Sequence, residues 1–267
     1  MYLQHYQLNG DPFSKQLKSK DAFESRDFKE CKERLDFLAK HRGLALITAA
    51  PGYGKSLAMR AFAERQNPNL TRVVYLCMTT LSVVEFYRQL AVALGLDDSY
   101  RKAEMFHDIQ AYIDHLYTVK KIHLVIVIDE AQYLSVPILR DLKMLMNFEY
   151  DSRDRFSLVL CGQPVLADLL TRQIHEALRQ RIVVNYEFSG ITEDEAASYA
   201  EKMITLAGGS ASVLDDAAIH TAFNCANGSI RIFGRILAAA LTIGAQNGAS
   251  SINAEMVMAA ANETAIR

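Results

Sequence analysis

Apolar stretches of strand length alternate with amphipathic stretches of helix length over the first 188 residues. Short apolar runs predict five strands, at residues 44–48, 73–78, 124–128, 157–161 and 183–188. Helix-like stretches lie around them, at residues 28–41, 55–65, 82–94, 104–119 and 135–148. The run 124–128 is apolar at every position, which is typical of a strand covered on both faces. Strands that alternate with helices predict a parallel α/β sheet sandwiched by helices.

The pattern changes after Phe188, where only helical stretches follow. Thr192 and Glu195 form a capping box that predicts a helix start, as Ser82 and Glu85 do earlier in the chain. We therefore expect three parts: an N-terminal segment and helix, 1–42, that packs on an α/β core domain, 43–188, and a small all-helical lid domain, 189–267.

Composition indicates an ordinary globular protein. Half of the 267 residues are hydrophobic and 22% are charged. The four cysteines are far apart and form no C-x-x-C pair, which argues against a disulfide framework or a zinc site and favours a reducing compartment. No signal peptide is visible, and the longest apolar stretch, 236–245, is too short to span a bilayer. We expect a cytoplasmic protein without a membrane segment.

The net charge of −2 is distributed unevenly. From Phe188 to the end the chain has four Lys/Arg and eight Asp/Glu, a balance of −4, so the remainder has a charge of +2. No overall basic field indicates nucleic-acid binding.

A loop of the phosphate-binding type follows the first strand. Its sequence from Ala49 is Ala-Ala-Pro-Gly-Tyr-Gly-Lys-Ser, with alanine at the first position, where glycine is usual. Gly52 and Gly54 allow the backbone N–H groups to turn toward phosphate oxygens, and the next helix adds its positive end. We expect Lys55 to reach the β- and γ-phosphates of ATP and the Ser56 hydroxyl to bind Mg²⁺. The predicted nucleotide-binding residues of this loop are Ala50, Pro51, Gly52, Tyr53, Gly54, Lys55, Ser56 and Leu57.

An acidic pair, Asp129 and Glu130, follows the apolar run 124–128. It lies at the carboxyl end of a strand, where parallel sheets bind ligands. Asp129 is expected to hold Mg²⁺, and Glu130 to orient and deprotonate the attacking water. Taken alone, the loop could be a glycine-rich turn that happens to contain a lysine. Taken alone, the acidic pair could be an ordinary acidic turn after a strand. Both motifs in this order on the expected strands predict binding and hydrolysis of ATP with Mg²⁺.

Three further polar residues are candidates for catalysis. Gln163, after the fourth strand, contacts the γ-phosphate or the water, or else it is a turn residue that caps the strand. Arg179 and Arg181 precede the fifth strand. One of them reaches a neighbouring subunit's ATP, or both are cations at a solvated helix end. An arginine that acts in trans implies that the protein assembles with itself into a ring or filament.

These motifs together resemble AAA+ ATPases, and among them the ExeA-type group and the related transposition ATPases TnsC, MuB and IstB. The stretches that carry the resemblance are 11–13, 52–56, 128–132, 160–164, 178–182, 206–208 and 228–231. The resemblance implies that Gln163 is a sensor, that Arg181 or Arg179 is the trans-acting finger, and that Arg231 is a lid arginine that contacts nucleotide. Ile230 stands where the group usually has proline, and a surface arginine at a helix start is the alternative.

The resemblance leaves two classes of cellular role. In one, the ATPase assembles on DNA and recruits a transposase to regulate transposition. In the other, it is an ExeA-type secretion-associated ATPase that acts with cell-envelope partners. ExeA-type proteins continue into a membrane segment and a wall-binding region, and this sequence has neither, so we expect the transposition role. A slowly hydrolysing ATP switch is a third option.

The expected DNA binding is independent of DNA sequence, because many copies would add small phosphate contacts. Candidate contacts are Thr79, Thr80, Arg101, Lys102, Lys120 and Lys121. Each could also be an ordinary solvated surface residue.

Overall fold

The computed structural model describes residues 2–14, 16, 18–77, 82–97, 99 and 101–264. The strands are β1 (Gly43–Thr48), β2 (Thr71–Cys77), β3 (His123–Asp129), β4 (Ser157–Gly162) and β5 (Ile182–Glu187). The α-helices are α1 (Tyr2–His5), α2 (Arg26–His41), α3 (Lys55–Arg65), α4 (Val83–Leu94), α5 (Lys102–His115), α6 (Val136–Leu145), α7 (Val165–Thr171), α8 (Glu176–Arg179), α9 (Glu193–Leu206), α10 (Asp216–Ala226), α11 (Ile230–Gln246) and α12 (Ala254–Thr264).

The five strands form one sheet in the order β2-β3-β4-β1-β5, and every neighbouring pair is parallel. This confirms the predicted α/β sheet, with strand bounds that differ from the sequence pattern by at most two residues. All seven residues of β3 are buried, as the continuous apolar run predicts. Because the strands are parallel, the segments that follow β1, β3 and β4 emerge at the same edge. Ala49, where the phosphate-binding loop starts, the acidic pair and Gln163 therefore lie at the same end of the parallel strands.

The chain divides into two compact units. The sheet unit comprises residues 30–49 and 55–188, and the helical unit comprises residues 1–29, 50–54 and 189–267. A continuous apolar core fills the sheet unit, where residues of the strands pack against α4, α5 and α6. A separate apolar core fills the helical unit and is built mainly from α9, α10, α11 and α12.

The N-terminal segment lies with the C-terminal helices. Tyr6 and Leu8 are buried in the core of the helical unit, and the Tyr6 hydroxyl donates to the Ala249 carbonyl at 3.1 Å. Asn9 N–H donates to the Ala207 carbonyl at 2.7 Å. This differs from our expectation that residues 1–42 pack together on the α/β domain. The apolar residues of this segment do not by themselves indicate which core they join.

Local capping signals agree with the structure at two helix starts. Ser82 with Glu85, and Thr192 with Glu195, both form complete capping boxes. Ser135 is the N-cap of α6, yet its side chain makes no capping hydrogen bond. Among the described residues, no helix has the length and apolar character needed to cross a membrane.

Candidate functional site

The phosphate-binding loop has the backbone that its glycines allow. Gly52 and Gly54 have φ of +88° and +96°, a left-handed region that side chains disfavour. Ala49, at the position where glycine is usual, does not have a positive φ. Its N–H donates to the Gly162 carbonyl at 3.0 Å, and its side chain is buried. Alanine therefore fits this position without backbone strain.

Residues 50–54 of the loop belong to the helical unit. The Gly52 carbonyl accepts from the Arg231 N–H at 3.2 Å, and the Tyr53 hydroxyl donates to the Asn227 carbonyl at 2.9 Å. The structure thus brings Arg231, at the start of α11, against the loop through its backbone, while its side chain is exposed. The lid-arginine role of Arg231 stays a prediction.

Three side chains contact the carboxylate of Asp129. Lys55, the first residue of α3, places Nζ 2.8 Å from Asp129 Oδ1 and 4.0 Å from Glu130 Oε1. The Ser56 hydroxyl donates to Asp129 Oδ2 at 3.0 Å. The Tyr75 hydroxyl donates to the same oxygen at 2.5 Å. The structure therefore brings together Lys55, Ser56 and the acidic pair, which are far apart in sequence.

Asp129 is held as a buried anion. Burial raises the pKa of its carboxyl, but hydrogen bonds from Lys55 and Tyr75 outweigh this effect, so that the pKa is lowered overall. Asp129 therefore ionises before most carboxyls as pH rises, and at neutral pH a negative charge lies beside the Ser56 hydroxyl. Such oxygen atoms are the ligands that a hard divalent cation prefers.

Glu130 differs from Asp129 in exposure and backbone. About a third of its side chain, 35%, is exposed, so water reaches its carboxylate. Its φ of 55° is left-handed, which is uncommon for a residue other than glycine. Conformations of this kind cluster at active sites, where the surrounding structure compensates for their cost.

Two contacts at the carboxyl end of the strands were not predicted. Tyr75 lies on the edge strand β2, and nothing in the alternation of that strand indicates that its hydroxyl meets Asp129. Gln132 lies in the stretch 128–132 that carries the resemblance, and the sequence pattern indicates no role for its side chain. Its Nε2 donates to Glu130 Oε2 at 2.6 Å. Its location two residues after Glu130 was the sequence signal that could have indicated this contact.

The backbone of Gln163 contacts the segment that follows the acidic pair. It follows β4, and its N–H donates to Gln132 Oε1 at 3.1 Å. The residue is half-buried, as is Leu57 on α3. Contact of Gln163 with a γ-phosphate stays a prediction.

Arg181, one of the two candidate finger residues, lies at the opposite end of the parallel strands. The Arg181 carbonyl accepts from Leu44 N–H, at the start of β1. Six residues of β1 separate this edge from the loop, or about 20 Å at roughly 3.3 Å per residue. The Arg181 guanidinium is 15% exposed and forms ion pairs with Asp151 and Asp154. Burial lowers its pKa from the usual arginine value.

Arg179 has different partners. Its guanidinium donates to the carbonyls of Leu170 and Thr171, at the C-terminal end of α7. This is a favourable place for a cation, because the last carbonyls of a helix lack partners. In the sheet unit the Arg179 guanidinium is therefore held at the end of α7.

The candidate DNA-contacting residues differ in exposure and in their ion pairs within the chain. Arg101 and Lys102 each form an ion pair with a carboxylate of this chain. The lysines at 120–121 are exposed at the end of the π-helical turn that follows α5. The threonines at 79–80 lie outside the described residues.

Comparison with known proteins relates the chain to ATPases. Residues 38–170 match the family model described as AAA domain, and this stretch contains the loop, both carboxylates and Gln163. Over the full chain, 26% of residues are identical to General secretion pathway protein A of Aeromonas hydrophila. The chain spans about half, 49%, of the length of that relative.

Solved structures share the fold at low sequence identity. Cdc6p from Pyrobaculum aerophilum matches with a TM-score of 0.75 and 18% identity, covering 96% of this chain and 72% of that one. The Aeropyrum pernix ORC1 protein in complex with DNA matches with a TM-score of 0.64 and 18% identity, covering 97% and 69%. These similarities support the ExeA-type part of the resemblance, and none of them relates the chain to a transposition protein. The match of residues 38–170 to the AAA domain and the P-loop fold together make this chain an ATP hydrolase.

Proposed function

We propose that this ATPase takes its nucleotide as Mg²⁺-ATP and uses Glu130 as the general base. The observation that carries the proposal is the convergence of Lys55 and Ser56 on Asp129, at 2.8 and 3.0 Å, with Glu130 next to them. A lysine, a hydroxyl and a buried carboxylate are the set that a nucleotide-bound Mg²⁺ uses in P-loop proteins.

Ser56 and Asp129 would hold the metal, and phosphate oxygens and water would complete its shell. Among the described residues there is no cluster of three or more His, Cys, Asp or Glu side chains that could hold a metal by itself. Two protein ligands fit Mg²⁺, which keeps waters and substrate phosphates. The bound ion would neutralise charge on the β- and γ-phosphates. Lys55 would add its ammonium to the same oxygens, and Glu130 would accept the proton of the attacking water.

Binding is tested with Lys55→Ala. The variant removes a buried cation from the anion site, so a fluorescent ATP analogue should bind more weakly. Lys202→Ala is the matched control, because Lys202 is also partly buried and donates to the Ala22 carbonyl in the helical unit. Equal affinity for the wild type and Lys55→Ala would show that the loop is not the site.

Chemistry is separated from binding with Glu130→Gln. The metal carboxylate remains and the base does not, so ATP and Mg²⁺ should still bind while hydrolysis falls roughly 10²–10⁴-fold. Glu64→Gln, an exposed change on α3, is the control. Phosphate release at the wild-type rate from Glu130→Gln would refute the base assignment.

The distance between the two edges of the sheet supports a finger that acts in trans. The Arg181 backbone lies one length of β1, about 20 Å at roughly 3.3 Å per residue, from Ala49, and this distance favours action on a neighbouring copy. Arg181 or Arg179 would then stabilise charge on the transferred phosphoryl group, and the protein would work as a ring or filament.

The cellular role that the comparisons favour is secretion. The similarity to General secretion pathway protein A extends over the whole chain. Because the chain spans about half of that relative, the position of its last residue does not decide between the roles. We assign this protein to ATP-driven secretion with cell-envelope partners, in place of the transposition role expected from the sequence.

The test is a dominant-negative allele in the source organism. Glu130→Gln should enter the assembly and block hydrolysis there, so export of a secreted reporter enzyme should fall while its intracellular level rises. Lys55→Ala, which is expected not to bind ATP, is the comparison allele. Unchanged export with both alleles would overturn the secretion role.

DNA binding is the second candidate, because two solved structures with the same fold are bound to DNA. In that role the ATP-bound chain coats duplexes without reading their sequence and regulates transposition through a transposase. Anisotropy titration on unrelated duplexes with ATP or ADP, at two salt concentrations, tests it. Binding should require ATP and fall steeply with salt. Free duplex at micromolar protein and low salt would exclude this role.

A further inference from the structure

One side-chain amide connects two elements of the site. Gln132 lies on the 3₁₀ turn Ala131–Tyr133, directly after the acidic pair. Its Nε2 donates to Glu130 Oε2 at 2.6 Å, and its Oε1 accepts from the Gln163 N–H at 3.1 Å. The amide therefore joins the proposed base, after β3, to the first residue after β4.

The amide of Gln132 matches the hydrogen-bonding chemistry of both partners. A carboxylate only accepts, so the group that faces Glu130 must donate, and a backbone N–H only donates, so the group that faces Gln163 must accept. Glutamine supplies both ends in one rigid plane. Glutamate would supply only acceptors and would place two carboxylates together. The orientation of the Gln132 amide follows from these two partners.

Gly162 leaves the space that this amide occupies. A Cβ at position 162 would lie 2.6 Å from Gln132 Oε1 and 2.8 Å from Leu166 Cδ2. The backbone of Gly162 is not left-handed, so glycine is not needed there for its φ. Glycine fits at position 162 because the Gln132 amide and the Leu166 side chain both lie too close for a Cβ.

The contact restricts the Glu130 carboxylate, whose other oxygen lies 4.0 Å from the Lys55 ammonium. Glu130 has a left-handed backbone and a partly exposed side chain. Among the hydrogen bonds of the described residues, the one from Gln132 holds its carboxylate. A general base acts only when it is held in the orientation that meets the attacking water.

We propose that Gln132 is a positioning residue that holds Glu130 in its catalytic orientation and couples it to the segment at Gln163. The inference rests on the proposed role of Glu130 as base. Gln132 does not touch nucleotide in this scheme, and its effect passes through the carboxylate that it orients. A change in the position of Gln163 moves the acceptor end of the amide and so alters how the base is held.

The first test is Gln132→Ala. Loss of a hydrogen bond to a charged group should lower kcat by roughly 10- to 100-fold, while affinity for an ATP analogue changes less than about twofold. Gln132→Glu keeps the size of the side chain and the acceptor for Gln163 but loses the donor. Its kcat should fall at least as far, which keeps the test valid if the alanine variant folds poorly.

A matched control separates this role from general stability. Gln66 is also half-buried in the sheet unit, and its Nε2 donates to the Phe62 carbonyl at 3.3 Å. Gln66→Ala removes a comparable side-chain hydrogen bond at the end of α3. Its kcat should stay at the wild-type value, and the unfolding midpoints of all variants are compared.

The decisive test is a double-mutant cycle with Glu130→Gln under single-turnover conditions. With the base absent there is nothing to orient, so adding Gln132→Ala should lower the residual rate less than about twofold. A merely structural role would lower the rate by the same factor in both backgrounds, and that result would overturn the inference.

Different results would refute the base role of Glu130 and the positioning role of Gln132. Hydrolysis at the wild-type rate by Glu130→Gln would refute the base and with it this role for Gln132. Slow hydrolysis by Glu130→Gln, combined with wild-type kcat for both Gln132→Ala and Gln132→Glu, would refute the positioning role alone.

Discussion

Replacing Gly52 with alanine tests how the start of α11 holds the phosphate-binding loop. Gly52 has φ of +88°, where an L side chain costs about 1–2 kcal/mol. An added Cβ would also lie 2.3 Å from Ser229 Oγ and 3.0 Å from Arg231 Cβ. Contacts below 3.0 Å require a neighbour to move, so Ser229 must shift.

Ser229 has little freedom to shift. It is buried, and its hydroxyl oxygen accepts from the Ile232 N–H at 3.3 Å as the N-cap of α11. The hydroxyl also donates to the Pro51 carbonyl at 3.4 Å. Loss of an N-cap costs about 1 kcal/mol. Together with the strain at Gly52, the expected loss of unfolding free energy is about 2–3 kcal/mol.

Gly54→Ala is the matched control. Gly54 has φ of +96°, but a Cβ there meets no atom within 4 Å. It should lose only the backbone term of about 1–2 kcal/mol, so the two variants should differ by about 1 kcal/mol. Urea unfolding followed by circular dichroism measures the difference. The thermal midpoint should separate in the same order, by about 2–4 °C per kcal/mol for a chain of this size.

Ser229→Ala completes a double-mutant cycle. Once the hydroxyl is gone, Gly52→Ala has no cap to displace, so the double variant should be more stable than the sum of the single losses predicts, by about 1 kcal/mol. Equal losses for Gly52→Ala and Gly54→Ala, or strict additivity in the cycle, would refute the reasoning from the Ser229 contact.

The remaining predictions concern the neighbour, the metal and pH. Arg181→Ala should bind ATP normally yet hydrolyse it slowly, and mixing it with Lys55→Ala protein should restore some phosphate release; no recovery at any ratio would contradict action in trans. Tyr75→Phe should raise the Mg²⁺ concentration for half-maximal hydrolysis about tenfold, because Asp129 loses a hydrogen bond worth about 1.5 kcal/mol, and an unchanged Mg²⁺ titration would contradict it. Burial and the bond to Asp129 raise the pKa of Tyr75, so its phenolate absorbance should appear only above the usual tyrosine range. Burial lowers the pKa of His123 to about 4. The unfolded chain therefore binds the proton first, and unfolding free energy should fall by up to about 3 kcal/mol as pH drops from about 6.5 to 4, a slope that His123→Gln should flatten.

Local sequence signals predicted the frame of the molecule. The continuous apolar run before Asp129 marks a strand buried on both faces, and β3 is buried at all seven positions. Ser82 and Thr192 cap helices as their spacing to glutamate requires. Gly52 and Gly54 supply the left-handed turns of the loop. These features depend only on a residue and its close neighbours along the chain. They can therefore be predicted from the sequence pattern.

The position of the candidate site residues follows from the sheet order. Lys55 and Asp129 are 74 positions apart in sequence, and the motif pair predicts that they cooperate because parallel strands end at one edge. The sequence did not indicate that β4 lies between β1 and β3, which is what places Gln163 beside the acidic pair. Strand order depends on which helices cover which face, and this is decided by packing across the whole sheet.

Tertiary structure alone decided which side chains orient the site. Tyr75 meets Asp129 because β2 pairs with β3 in a register that brings the two residues to the same end. Gln132 meets Gln163 because Gly162 leaves room for its amide. Asp151 and Asp154 meet Arg181 at the opposite edge. Apolar periodicity records which face of an element is buried, whereas a hydrogen bond or ion pair requires two particular atoms to approach within about 3 Å. That approach is set only when the elements have packed.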